Sequence, residues 1–70
     1  MKQYFYLIAH VMTGGATIDK IFLQEYEAIR WGRTLATKFP EFTVSLYKQE
    51  ITRTATVEFV KSLEPFKEEK

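Results

Sequence analysis

The sequence predicts an α+β domain in the order ββαββ, one helix packed on a four-stranded antiparallel sheet. Three observations predict it. Apolar residues recur at helical spacing in the middle of the chain, and segments suited to strands lie on either side. Gly14-Gly15 stands between two aliphatic runs, where a tight hairpin turn belongs. Pro40 separates the helical segment from the second pair of strands.

The first strand is expected over residues 3–12, which are rich in aromatic and aliphatic side chains. A loop of Gly14 and Gly15 would set the register of the first hairpin. Val11 then faces Ile18 and Leu7 faces Phe22 on one side. His10 faces Asp19, Ile8 faces Ile21 and Tyr6 faces Leu23 on the other. The helix follows from residue 24 or 25 to Lys38, with Ala28, Ile29, Gly32, Leu35, Ala36 and Phe39 as its apolar stripe. Glu25 and Glu27 in the first turn and Lys38 in the last suit the helix dipole. Gly32 costs about 1 kcal/mol against alanine in mid-helix, which a close approach of helix to sheet would explain. A competing reading extends the stripe backwards through Ile18, Ile21 and Phe22. It gives a βαββ fold with a helix over 17–38.

In the last part, Phe42, Val44 and Leu46 alternate with polar residues or tyrosine, and Ala55, Val57 and Phe59 with threonine or glutamate. A loop over 49–52 would pair Val44 with Val57 and Phe42 with Phe59. The expected core is then Phe5, Leu7, Val11, Phe22, Val44, Leu46, Val57 and Phe59, with Trp31 at its border. The domain is expected to span residues 1–62, and 63–70 to form a charged, frayed tail.

Seventy residues allow one small core, and such domains often need a staple or a partner. The chain has no cysteine and one histidine, which excludes a disulfide framework and a thiolate or multi-histidine metal site. No cofactor is expected. The net charge of +1 gives no global field for phosphate, and no apolar run is long enough to span a membrane. A soluble, cytoplasmic protein is the expectation.

Little in the chain suggests catalysis. His10 opposite Asp19 gives an oriented imidazole, but a catalytic triad also needs an activated nucleophile and an oxyanion site. Thr13-Gly14-Gly15-Ala16-Thr17 lacks the length and the Lys-Ser/Thr of a phosphate loop. The acidic residues follow no metal-loop spacing. A non-enzymatic protein is therefore expected.

One helix covers one side of a sheet, so the other side should meet water. The expected registers place Tyr4, Tyr6, Ile8, Met12, Ile21, Leu23 and Tyr47 on that side. An exposed apolar patch marks a partner surface, most simply for a second copy of the chain. The alternative partner is nucleic acid, with Tyr4, Tyr6 and Tyr47 stacking on bases and Arg30, Arg33, Lys48 or Arg53 near phosphates.

Overall fold

The protein is described by a computed structural model covering residues 3–12 (Met12 by its backbone), 14–51 and 57–66. Strand β1 spans Tyr4–Met12 and β2 Gly15–Phe22. Helix α1 spans Glu25–Lys38, and strands β3 and β4 span Thr43–Glu50 and Glu58–Leu63. The four strands form one antiparallel sheet in the order β2-β1-β3-β4. The ββαββ fold is therefore as the sequence predicts. The long-helix alternative fails, because residues 15–22 are strand and the helix begins at Glu25.

The helix lies where its stripe dictates. Ala28, Gly32 and Ala36 are buried against the sheet. Beneath them lie Ile8, Val44, Leu46 and Leu63, flanked by Tyr6, Phe22, Ile29, Trp31, Leu35, Phe42 and Val60. The small stripe brings the helix down close, and Gly32 has room only for its hydrogen: an added Cβ would overlap Leu63 Cδ1. At the far end the Phe39 N–H donates to Leu35 O at 2.9 Å, and Pro40 prevents another turn.

The helix start is unfinished. Gln24 is the N-cap, but its side chain makes no capping bond. Aspartate there would accept from a free first-turn N–H and favour the positive end of the dipole. Gln24→Asp should therefore raise stability by about 0.5–1 kcal/mol in a urea titration. An unchanged midpoint would show that this end is already satisfied by water.

Both hairpin registers differ from those expected. Met12 pairs with Gly15, so the first turn closes one residue earlier than a Gly14–Gly15 loop would allow. Ala9 consequently faces Ile18 and Ile8 faces Lys20, with Asp19 as an extra residue in a β-bulge between them. In the second hairpin, β4 begins only at Glu58. Val44 faces Leu63 rather than Val57, Tyr47 faces Phe59, and Val60 is the extra residue of a second bulge. Leu63 supplies the anchor that fits under Gly32, which is why pairing slides toward the C-terminus.

Leu63 is thus a core residue at 6% exposure, not the first residue of a tail. The next three residues are strapped to the helix. Arg33 Nε donates to Glu64 O at 3.2 Å, and the Phe66 N–H donates to Thr37 Oγ1 at 2.9 Å. The Arg33 guanidinium lies over the Phe66 ring, 4.4 Å from its centre.

Candidate functional site

The alternation of β1 decides which side chains face the helix. Even-numbered Tyr6 and Ile8 point toward it, and Ile8 has no exposure at all. Odd-numbered Leu7 and Ala9 point away. This is the reverse of the faces that the sequence pattern predicts. Ile8 is a core residue and Tyr6 packs against the core, so neither belongs to an open surface. Tyr4 shares their side, in ring contact with Tyr6 at 6.3 Å. Leu23 lies just beyond β2 and is exposed. Ile21 and Tyr47 do lie on the open side, through pairing with Leu7. The Met12 side chain is outside the described residues. Conversely, Phe5, Leu7, Val11, Val57 and Phe59, expected in the core, face away from the helix.

The open face is more apolar than the sequence reading foresaw. Phe5, Val11, Ile18, Ile21, Val57 and Phe59 lie on it and are all exposed, Phe59 at 58% and Ile18 at 57%. Leu7 and Ala9 sit lower, covered by these neighbours, and with Ala16, Ile18, Tyr47 and Val57 they line a shallow hollow of about 240 Å³. Tyr47 and Phe59 meet edge to face at 5.6 Å. Polar positions on this side are Thr43, Ser45, Gln49 and Ser62. Strand register places no charged side chain of the described residues on it.

Charges lie on the helix side and at the ends. Lys48 Nζ is 4.7 Å from the Tyr4 ring centre and 4.0 Å from Glu58 Oε1. Arg33 is engaged by Glu64 and Phe66. Arg30 borders a groove between α1 and β2, lined by Phe22, Tyr26 and Trp31. Lys20 Nζ lies over both the Phe22 and Trp31 rings, at 5.5 and 5.7 Å. Arg53 is outside the described residues. Of the cations expected to act together, Arg33 and Lys48 have separate partners, and Tyr4 and Tyr6 lie on the opposite side of the sheet from Tyr47.

His10 and Asp19 are brought together, though not as a directly paired couple. His10 pairs with Thr17, and the bulge turns Asp19 back so that the imidazole N–H donates to its carboxylate, Nδ1 to Oδ2, at 2.6 Å. The imidazole stacks on Phe42 at 4.3 Å, and Phe42 on Phe39 at 5.0 Å. The side chains are 14% and 19% exposed, and the arrangement fastens the bulge to the end of the helix layer. Asp19→Ala should cost about 1.5 kcal/mol by denaturant unfolding. A loss below a few tenths would mean that the pair does not hold the bulge. Among the described residues no group of three or more His, Cys, Asp or Glu side chains is placed to hold a metal ion. No described helix is long and apolar enough to cross a membrane.

Comparison of the chain with protein-family models, with curated proteins and with solved structures finds no match.

Proposed function

We propose that this domain is a non-enzymatic interaction module that self-associates through the sheet face opposite its helix. The observation that carries this reading is a four-stranded face with exposed Phe5, Ile18, Ile21 and Phe59 and no charged side chain among the described residues. The centre of a protein interface is likewise depleted of charge and enriched in aromatics. Two such faces meet without like-charge repulsion, and neither offers a cation to a phosphate.

Size and edges support the same occupant. Strands about 4.8 Å apart and some seven residues long outline roughly 450 Å² in projection, and more with side-chain relief. Stable interfaces start at about 600 Å² per partner, which the face reaches only through that relief. Association edge to edge is disfavoured, because each edge strand, β2 and β4, carries a bulge. Among the described residues the largest fully buried side chains are Ile8, Leu46 and Val44, a small core to which a second layer adds burial. Sedimentation equilibrium should give twice the 8.3 kDa chain mass. A monomer at high protein concentration would reject the reading.

The groove of Phe22, Tyr26 and Trp31, with Lys20 and Arg30 beside it and Glu27 also on its wall, favours a second reading, contact with single-stranded nucleic acid. Its mark would be a gel shift that weakens steeply with salt. Absence of a shift at low salt removes it.

A further inference from the structure

The strand registers assign matching heights to the open-face residues. Ile21, Leu7, Tyr47 and Phe59 pair in succession across β2, β1, β3 and β4, forming one continuous row. The next row contains Ile18, Ala9, Ser45 and Ser62. The first row is large on every strand. The second is small on three of its strands, and Ala9 and Ser45 at its centre are 4% and 5% exposed. Tyr47 and Phe59 therefore form a ridge over β3 and β4 beside a trough at Ser45 and Ser62, one side-chain repeat away, while Leu7, 5% exposed, lies as low as Ala9. Both bulges, at Asp19 and Val60, lie between these rows on the edge strands.

Resting on the self-association reading, we propose a specific pairing: the ridge of each copy seats in the trough of the other about a two-fold axis running between the rows. Such an axis lies in the plane of the interface, perpendicular to the strands. It exchanges the two rows while keeping each strand over its own counterpart. Tyr47 of one copy then sits over Ser45 of the other, and Phe59 over Ser62, twice each by symmetry. Sheets packed face to face are turned by about 30°, so the fit is tightest at the central strand β3, where Tyr47 and Ser45 lie. Three features favour this over an arbitrary face-to-face contact. The two rows are adjacent, they have the same direction, and the small residues are central, where the opposing Tyr47 needs depth.

The test uses size exchange between copies. Ser45→Leu fills the trough, and Tyr47→Ala removes the opposing ridge. Each variant alone should self-associate about a hundredfold more weakly than the parent chain in sedimentation velocity. Mixed together, they should form a heterodimer, because leucine at 45 then meets alanine at 47 across the axis. Only contact between copies produces this recovery. Relief within one chain cannot, since the two substitutions are on different molecules. Ser62→Leu, at an exposed position in the same trough, is a second filler and should also weaken association. Circular dichroism of each variant should match the parent. A parent dimer whose strength none of these changes alters overturns the pairing but leaves self-association standing, and so does a mixture that fails to recover. A monomeric parent overturns both.

Discussion

Gly32→Val should unfold the domain or leave it barely folded. A Cβ on residue 32 would overlap Leu63 Cδ1, lie 3.0 Å from Ile8 Cδ1 and 3.6 Å from Val44 Cγ1. These three side chains are 6%, 0% and 2% exposed, so none can swing into solvent. The first methyl has a mixed effect. Alanine gains about 1 kcal/mol of helix propensity, while overpacking costs about 1–3 kcal/mol. Gly32→Ala should thus be neutral to destabilising by roughly 2 kcal/mol. Valine adds two further carbons in the same gap and loses part of the helix preference. The helix must then lift from the sheet, giving up contacts along its whole stripe. A loss above about 3 kcal/mol is expected, comparable to the whole stability of a domain this small. Urea unfolding followed by circular dichroism measures it. A valine variant as stable as the parent would mean that the helix does not rest on Leu63.

Tyr47→Lys should convert the protein to a folded monomer. Tyr47 is half-buried on the open side of β3, touching Phe59 and lining the apolar hollow. In a monomer the lysine stem lies across Leu7 while its ammonium reaches water, so the fold loses little. In a face-to-face dimer two such ammonium groups, one from each copy, enter a surface with no counter-charge among the described residues. Their desolvation adds to the lost burial of the rings. Association should weaken by about a thousandfold or more, equivalent to roughly 4 kcal/mol. Ile21→Lys, at a 55% exposed position on the same row, should act in the same direction with less effect on the monomer. Light scattering against concentration reads both. Unchanged self-association in the two variants would place the contact away from this face.

Much of the fold is legible from residue order, for definite reasons. The helix limits follow from the stripe of Ala28, Gly32 and Ala36 and from Pro40, all local signals. The proximity of His10 and Asp19 is also readable, although His10 pairs with Thr17 rather than with Asp19. The bulge restores by a local bend what the shifted pairing takes away. The candidate surface was legible only as a kind of surface. Ile21 and Tyr47 lie on the open side as the pattern predicts, whereas Tyr4, Tyr6 and Ile8 lie on the helix side. Strand β1 reads Tyr-Phe-Tyr-Leu-Ile-Ala-His-Val-Met and is apolar on both faces, so alternation marks a strand without marking which side is inside.

The sequence by itself determined the element types, the helix and its buried stripe, and the existence of one uncovered sheet face. These depend on periodicity, glycine and proline, whose effects act within a few residues. Only the tertiary structure decided the sheet order, the two registers and the face that the helix covers. Those choices depend on contacts between distant residues, above all Leu63 and Ile8 meeting Gly32. The bulges at Asp19 and Val60 then reverse strand parity partway along each edge, so no single alternation pattern carries through β2 or β4. That reversal brings Ile21 and Phe59 onto the same side as Leu7 and Tyr47, and it makes the open face a continuous apolar row.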